Sequence, residues 1–486
     1  MSFVSLNFFI LITIALPLYY SIKRSMLGTK LLFMILNGIF FLSFAQSLKS
    51  ILPLLVFLAC GYIGTLILKK FPNTLLMWLL ILFYVFSFLY LKRYVFLDFI
   101  PIWESSFLVI GISYMLFRIV QLNIDVRFNT IEGDVSLLDY FNFTCFFLCI
   151  ASGPIQRYQD FEDQQKAQLE YQLDEKEVFD AFSRIITGYL KVVFIAGFFS
   201  SDIHQLGYAI NIMDIQRSPF LTLGWYLFSV TSITFYVYFN FSGYMDIVIG
   251  LGKLFCFKLP ENFNEPFRSK NYIEFWARWH ITLGLWLKTY VFNTILKVLI
   301  SRWGSKTATP YLAVIAFFVC FFLMGLWHGA TSIFFLYALF QGFGVSGNKL
   351  YQVNMDKYFG KSRYKKLKEN VFYDFICRGA TFSYLAISMT CLWGTFGDLL
   401  TLFGDSVYSI MGNLFLGFFV LTLISSILMF MFEMVLKWML LLSSPFEKII
   451  DTLLFRNTYL GAKFYFLAYC LLINVGAPPA FVYQEF

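Results

Sequence analysis

Charged residues are scarce in this chain of 486 residues: Asp, Glu, Lys and Arg make up 14% of it, against 59% for hydrophobic residues. So little charge cannot cover a water-exposed surface of ordinary polarity, which excludes a water-soluble globular protein. The formal net charge of +8 comes from small Lys/Arg clusters between apolar runs. This distribution is typical of cytoplasmic loops beside anionic lipid and argues against nucleic acid as a partner.

Several catalytic and metal-binding signatures are also missing. The eight cysteines are scattered, mostly inside apolar runs and without ligand spacing, so we interpret them as packing residues and expect no metal site or disulfide framework. The sequence contains no Gly-x-Ser-x-Gly motif and no catalytic carboxylate pair. It also shows no internal repeat, which disfavours a secondary transporter, whose halves often resemble each other.

Apolar runs long enough to cross a bilayer, about 20 residues as helix, recur from end to end. Lipid offers no partner for unpaired backbone groups, and the alternation of membrane strands is absent, so the spans are expected to be helical. We therefore predict an all-α polytopic membrane protein with a single membrane domain over residues 1–486. We interpret the apolar N-terminus as a retained first helix and not as a cleaved signal peptide.

The basic residues near the N-terminus make a topological prediction. Lys23, Arg24 and Lys30 follow the first predicted span, and Lys69–Lys70 follow the third. If both clusters are cytoplasmic, the N-terminus lies outside. Lys92–Arg93 then also lies outside, on the side that the positive-inside rule disfavours. Either one segment fails to cross or the positive-inside rule breaks here. The predicted spans in this part are Phe3–Ile22, Leu31–Gln46, Leu52–Leu68, Thr74–Leu91 and Phe99–Ile124.

The rest of the chain alternates polar segments with further spans. Tyr140–Ala151 is short for a full crossing and reads as a re-entrant helix. Gln159–Asp180 carries charges on every face, which favours a solvated surface helix. The basic segment Tyr351–Asn370 belongs in the cytoplasm, although it could also dock an anionic donor. Further spans are predicted at Phe182–Ser200, Leu221–Phe241, Phe372–Trp393, Leu414–Leu441 and Lys463–Val475.

Histidine occurs only three times, and two of the three follow a tryptophan. Trp279-His280 lies in Asn271–Phe292, where apolar residues recur with a period near 3.6, which predicts an amphipathic interfacial helix with His280 on its aromatic side. His204 stands in a polar segment, and we expect it to be a solvated side chain.

Trp327-His328 lies in Tyr311–Gly347, a run that contains no Asp, Glu, Lys or Arg and has His328 as its one histidine. The run is long enough for two segments, and the glycines of Gly325–Gly329 predict the break between them. An intramembrane histidine is by default a candidate functional residue.

The chemistry that suits such histidines is acyl transfer from a thioester. A neutral imidazole can take the proton from a hydroxyl as it attacks the acyl carbon, and then pass it to the leaving thiolate. A dry chamber aligns the reactants and prevents hydrolysis. A transporter or lipid-linked glycan flippase, in which the histidines relay protons, remains an alternative.

Polar residues also interrupt the span that precedes the histidines. Asn240, Tyr244 and Asp246 lie in an apolar stretch, where polar groups are costly unless they find partners or face a cavity. We predict that Asp246 anchors a basic residue such as Arg278. Pro260–Pro266 follows as a rigid polar turn.

Six motifs follow one another along the chain: Gly111–Tyr114, Ser152–Ile155, Asn240–Asp246, Pro260–Asn264, Arg278–Leu283 and Met324–Gly329. Together and in this order they resemble the membrane-bound O-acyltransferases (MBOAT). They match the bacterial branch that contains the alginate O-acetyltransferase membrane subunit and the D-alanyl transfer protein of teichoic acid modification.

The resemblance implies a helical bundle around a central tunnel, with about 11 to 13 transmembrane helices plus re-entrant and interfacial helices. Its catalytic core would be 111–347, between N-terminal helices in 1–110 and a basic loop with C-terminal helices in 348–486.

The resemblance also implies roles for individual residues. His328 matches the family's catalytic histidine, and His280 matches the second family histidine. The chain departs from the branch at Lys288-Thr289-Tyr290, where Arg-Asp-Tyr is usual, and at Thr294–Lys297, where Pro-Leu-Gly-Gly is usual. The supporting or tunnel-lining candidates are Trp327, Trp279, Arg278, Asn240, Tyr244, Asp246 and Asn262.

The implied reaction takes an acyl group from a cytoplasmic thioester, either acetyl-CoA or an acyl carrier, with no bound cofactor. The group, acetyl in the first place and D-alanyl as the alternative, would pass to an extracytoplasmic polysaccharide. The expected partner is an SGNH-type acyltransferase outside the membrane, and the expected location is the bacterial cytoplasmic (inner) membrane.

Overall fold

The computed structural model describes residues 3, 5–43, 48–97, 99–100, 111–200, 219–392, 397, 407–443 and 453–473. Helices dominate this described part, and seven of them are long and apolar enough to cross a membrane. The prediction of an all-α polytopic membrane protein is therefore confirmed. His204 and the segment 101–110 of the fifth predicted span lie outside the described residues.

The first four helices follow the predicted spans closely. Ser5, Ser25 and Asn73 begin three of them, because each side chain accepts a hydrogen bond from the backbone N–H three residues later. The third and fourth helices are both long and apolar enough to cross, and a three-residue turn joins them, so Lys69–Lys70 and Lys92–Arg93 lie at opposite ends of one hairpin. If both helices cross, one of the two basic pairs lies on the side that the positive-inside rule disfavours. The helices are α1 (Leu6–Ile22), α2 (Met26–Leu42), α3 (Leu48–Lys70) and α4 (Thr74–Leu91).

The polar section after α4 contains two helices and not one. The prediction of a single surface helix over Gln159–Asp180 is wrong, because Asp174 and Glu177 form a capping box in which each carboxylate accepts from the other residue's backbone N–H. That box begins a new helix, which runs on through a π-helical segment, Lys191–Ala196. The helices here are α5 (Ile112–Arg127), α6 (Leu137–Thr144), α7 (Tyr158–Ala167) and α8 (Glu175–Leu190).

A helix ends at each Trp-His pair, at Arg278 directly before the first and at Trp327 within the second. α9 (Pro219–Leu254) runs through the polar residues that follow the predicted span. The helix predicted over Asn271–Phe292 is broken at Trp279–His280, and its second half continues without interruption to Trp303. That half belongs to Ile281–Trp303, which is long and apolar enough to cross a membrane, so the interfacial assignment of this half remains a prediction. The elements are α10 (Tyr272–Arg278), α11 (Ile281–Leu287), a π segment (Lys288–Phe292) and α12 (Asn293–Trp303).

The run predicted to divide at its glycines does so. α13 ends at Trp327 and α14 begins at Ile333, so the predicted break is confirmed, and the basic segment that follows is helical. The remaining elements are α13 (Thr309–Trp327), α14 (Ile333–Asn354), a π segment (Met355–Gly360), α15 (Lys361–Glu369), α16 (Val371–Met389), α17 (Val407–Ser443) and α18 (Leu453–Ile473).

The chain forms two compact units. Within the described residues, the first holds the chain up to Tyr189 together with Gly243–Glu261, and the second holds Leu190–Ser242 and the chain from Asn262 onward. Both histidines of the Trp-His pairs belong to the second unit. The single membrane domain remains a prediction.

Candidate functional site

A strand-like pairing interrupts the helix at the first Trp-His pair. The loop residue Asn264 donates its backbone N–H to the carbonyl of Arg278 at 2.9 Å, and Ile281 donates its own to the carbonyl of Asn262 at 3.0 Å. These bonds use the carbonyl of Arg278 and the N–H of Ile281, two groups that would form hydrogen bonds within the helix if it were continuous. α10 therefore ends at Arg278, and a new helix begins after His280.

His280 lies at this break with a left-handed backbone. Its φ is +47°, a conformation that few residues other than glycine adopt, although histidine is among the more tolerant. The Asn262 side-chain oxygen accepts from the backbone N–H of Thr282 at 3.0 Å and from its hydroxyl at 2.7 Å. His280 is fully buried, and its ring meets the ring of Phe241 edge-on at 5.0 Å between centroids. Asn262 thus fixes the backbone at Thr282, directly after the turn at His280.

The Trp279 indole fills an aromatic cluster beside His280. Its ring lies 5.0 Å from that of Phe263 and 5.4 Å from that of Phe275. Trp279 is 1% exposed, so the tryptophan serves as a packing anchor for the left-handed turn.

His328 is positioned by its own helix. Its Nδ1 lies 2.8 Å from the carbonyl oxygen of Met324, one turn earlier. A carbonyl can only accept, so Nδ1 carries the proton, and the neutral ring presents the Nε2 lone pair as its basic site. The ring is 4% exposed and packs edge-on against Tyr337 at 5.2 Å and Trp327 at 4.9 Å.

Glycine allows the helices around His328 to approach closely. A Cβ on Gly325 would lie 2.3 Å from the Cα of Ala338 on α14, and one on Gly329 would lie 2.0 Å from the ring of Phe334. The glycines therefore permit α13 and α14 to pack against each other at the end where His328 lies.

The structure brings the two histidines into one buried region. They are close enough to interact electrostatically. Asn240 is buried one residue before Phe241, whose ring contacts His280. Among the described residues, no group of three or more His, Cys, Asp or Glu side chains could hold a metal ion.

Two of the candidate residues belong to the first unit. The Tyr244 hydroxyl donates to the carbonyl of Leu148 at 3.2 Å. The Asp246 carboxylate accepts from Nε of Arg184 at 3.0 Å, and the same guanidinium binds both carboxylate oxygens of Glu261.

The predicted pairing of Asp246 with Arg278 is therefore wrong. Arg278 forms its ion pair with Glu274 at 2.9 Å, one helical turn away, and also donates to the carbonyl of Asn264 at 3.3 Å. Glu274 is the closer partner because residues four apart share one face of a helix.

Four groups at the site were missed by the sequence analysis. The Met324 carbonyl could have been found, because it lies four residues before His328 in a helix. Phe241, Thr282 and Tyr337 could not, since their contacts with the site depend on how separate segments pack.

A family model described as MBOAT, membrane-bound O-acyltransferase family, matches residues 128–392, more than half of the chain. A teichoic acid D-alanyltransferase of Bacillus subtilis is 33% identical over 48% of this chain and 56% of its own length. A probable alginate O-acetylase of Pseudomonas aeruginosa is 31% identical over 51% and 44%, respectively. A peptidoglycan O-acetyltransferase of Helicobacter pylori is 30% identical over 44% and 38%.

The chain spans about half the length of these curated relatives. The matched family region contains both Trp-His pairs, the loop that pairs with the first and the glycines that flank the second. The family-model match covers most of the described second unit as well. This chain belongs to the membrane-bound O-acyltransferase family.

Proposed function

We propose that this protein is a multi-pass acyltransferase of the bacterial cytoplasmic (inner) membrane. It moves a short acyl group from a cytoplasmic thioester donor to hydroxyls of an extracytoplasmic polysaccharide. The family assignment and the named activities of the relatives, all transfers to cell-envelope polymers, support this reaction. The donor is acetyl-CoA or an acyl carrier acting as co-substrate, and no bound cofactor is needed.

The observation that carries the proposal is the hydrogen bond between His328 and Met324. With Nδ1 donating to the carbonyl, Nε2 of His328 accepts the proton of the incoming hydroxyl. The hydroxyl oxygen then bonds to the acyl carbon, the C–S bond breaks, and the proton passes from Nε2 to the departing thiolate. His328 therefore acts first as a general base and then as a general acid.

The surroundings of His328 suit a reaction that must exclude water. His280, Trp279 and His328 are all buried among aromatic rings. A thioester held there is protected from hydrolysis, and a buried site strengthens the electrostatic interactions of the reacting groups. We assign His280 to the same chamber and place it beside the acyl group, with Asn240, Asn262 and Trp327 shaping the chamber walls.

The acyl group is proposed to be acetyl. The Pseudomonas aeruginosa and Helicobacter pylori relatives carry acetyl-transfer names. D-alanyl transfer from a carrier protein is the alternative, and the match to 56% of the length of the Bacillus subtilis relative favours it. An SGNH-type acyltransferase outside the membrane is the proposed partner that completes transfer to the polymer.

A reconstituted enzyme tests the role of His328. Purified protein in proteoliposomes receives acetyl-CoA together with a soluble polysaccharide as the hydroxyl acceptor, and release of free thiol is compared for the wild type, His328→Ala and His204→Ala. We expect His328→Ala to lower turnover by about 100-fold or more, and His204→Ala to leave it near wild type. Undiminished turnover in His328→Ala, together with lost substrate movement, would favour a transporter.

Mass spectrometry of surface polymers from a deletion strain distinguishes the two acyl groups. Loss of acetyl esters supports the proposed reaction, and loss of D-alanyl esters supports the alternative. Full retention of both would contradict acyl transfer. The deletion strain is then complemented with the wild-type gene or with its His328→Ala form. This comparison separates the loss of the chemical step from the loss of an assembled protein.

A further inference from the structure

A network of buried polar side chains joins three helices of the second unit. The Tyr272 hydroxyl on α10 donates to Oε1 of Gln341 on α14 at 2.6 Å, and Nε2 of Gln341 donates to the hydroxyl of Ser388 on α16 at 3.3 Å. The Ser388 hydroxyl in turn donates to the carbonyl of Leu385 at 2.8 Å. Buried polar groups that satisfy one another in this way hold helices in one arrangement.

On the α10 side, the network leads to His280. The Tyr272 ring stacks on the ring of Phe275 at 5.7 Å between centroids, and the Phe275 ring stacks on that of Trp279 at 5.4 Å. The three residues are three and four positions apart, so they follow one side of α10. Because Trp279 directly precedes His280, a shift of Tyr272 would reach the left-handed turn through this aromatic stack.

On the α14 side, the network leads to His328. Gln341 lies four residues after Tyr337, one helical turn further along α14. The Tyr337 ring meets the ring of His328 at 5.2 Å. α14 also approaches α10 closely, because a Cβ on Gly344 would lie 2.8 Å from the Tyr272 ring. The bond from α10 to Gln341 therefore links the helix that precedes one Trp-His pair to the helix that packs against the other.

We propose that Tyr272 and Gln341 are positioning residues for acyl transfer, an inference that rests on the proposed function. Their hydrogen bond fixes the separation of the two imidazoles, so that Nε2 of His328 meets the hydroxyl while His280 lies beside the acyl group. Both residues act through the histidines and not on the reacting atoms. A misplacement of about 1 Å that originates far from the chemistry can cost about 100-fold in rate, so loss of this bond should be visible in turnover.

The reconstituted enzyme, given acetyl-CoA and a soluble polysaccharide, tests this role through kcat and KM. Tyr272→Phe removes the donor of the bond, and Gln341→Met replaces the amide with an apolar side chain of similar length. Tyr384→Phe is the matched control. The Tyr384 hydroxyl donates to the carbonyl of Phe340 at 2.7 Å, so this variant also loses a bond between α16 and α14, but one that does not involve α10.

We expect Tyr272→Phe and Gln341→Met each to lower kcat about 10-fold and to leave KM for acetyl-CoA within about twofold of wild type, because alignment is lost and donor binding is not. The double variant should also lose about 10-fold, since both substitutions remove the same bond. Tyr384→Phe should stay near wild type. Equal losses in Tyr272→Phe and Tyr384→Phe would overturn the proposal, as would an unchanged kcat in Tyr272→Phe.

The His328→Ala background separates positioning from folding. If Tyr272 acts through His328, adding Tyr272→Phe to His328→Ala should cause no further loss of the residual turnover. A further loss of about 10-fold would show that less protein is folded and would overturn the positioning role. Thermal midpoints check each variant, and Tyr272→Phe decides the outcome if Gln341→Met does not fold.

The same variants distinguish this inference from the proposed function. Full turnover in His328→Ala would contradict the proposed function itself. A loss in His328→Ala together with full turnover in Tyr272→Phe would contradict only the positioning role.

Discussion

The same dipeptide, Trp-His, occurs twice in the second unit, and the two copies are held in different ways. His328 continues from a helix, and a carbonyl of that helix orients its side chain. His280 interrupts a helix, and a loop earlier in the chain fixes its backbone in a left-handed conformation. The orientation of His328 therefore depends on local structure, whereas that of His280 depends on tertiary contacts. Substitutions should separate a side chain that performs chemistry from a backbone that shapes the site.

The largest difference should appear when each histidine is replaced by asparagine, which is polar but not basic. His328→Asn should lower thioester turnover by about 100-fold or more, because general acid–base catalysis contributes that much. His280→Asn should lower it less, because asparagine also tolerates the left-handed backbone. The measurement is thiol release by the two purified variants. Equal losses would show that both imidazoles take part in proton transfer.

A glycine near each histidine gives the next comparison. Gly325→Ala places a Cβ 2.3 Å from the Ala338 backbone, which has no room to yield, whereas the nearest atom to a Cβ on Gly284 is 3.3 Å away. We expect Gly325→Ala to cost up to about 3 kcal/mol and Gly284→Ala much less. Thermal unfolding in detergent measures both. A similar melting temperature for the two variants would contradict close packing of α13 and α14.

The loop that holds His280 can be tested with two asparagines. Asn262→Ala removes the acceptor of both bonds from Thr282, and we expect a loss of about 2 kcal/mol because a buried donor is left unmet. Asn264→Ala is the matched control, since Asn264 is exposed and its pairing bond uses only its backbone N–H. In thermal unfolding, Asn262→Ala should have a clearly lower melting temperature than Asn264→Ala. The reverse ranking would remove Asn262 from its positioning role.

The smallest expected effect concerns the backbone of His280. An alanine there keeps the left-handed strain, which costs about 1 kcal/mol relative to glycine. His280→Gly should therefore melt higher than His280→Ala, although both lack the imidazole. The same pair of substitutions at His328, which has a helical backbone, should give the opposite order. Identical orders at the two positions would show that the left-handed turn is not under strain.

The features encoded locally were predictable from the sequence. α4 has the predicted bounds because its apolar run is flanked directly by an asparagine cap, Asn73, and a basic residue, Lys92. The break before His328 follows from adjacent glycines. The capping box of Asp174 and Glu177 was also readable as a helix start, but the charge pattern around it was interpreted as one solvated helix.

The features that depend on distant segments were not predictable. The period of 3.6 in Asn271–Phe292 is real on each side of the break, yet it carries no sign that the loop around Asn262 bonds to Arg278 and Ile281, on either side of the Trp-His pair. The partner of Asp246 was misassigned for a similar reason, because Arg184 is 62 residues away in sequence. A single sequence shows which polar groups need partners but not which segments supply them.

The π segment Lys288–Phe292 lies between α11 and α12, in the helix that begins after His280. A wide turn of this kind accommodates one residue more than an α-helical turn would. Deleting one residue there would restore regular α-helical winding, and because the wide turn absorbs the extra residue, the helix up to Trp303 would keep its orientation about the axis. The same deletion in a regular α-helical turn would rotate the following residues by about 100°. At this position the chain can therefore lose one residue while the side chains on both sides of the turn keep their directions.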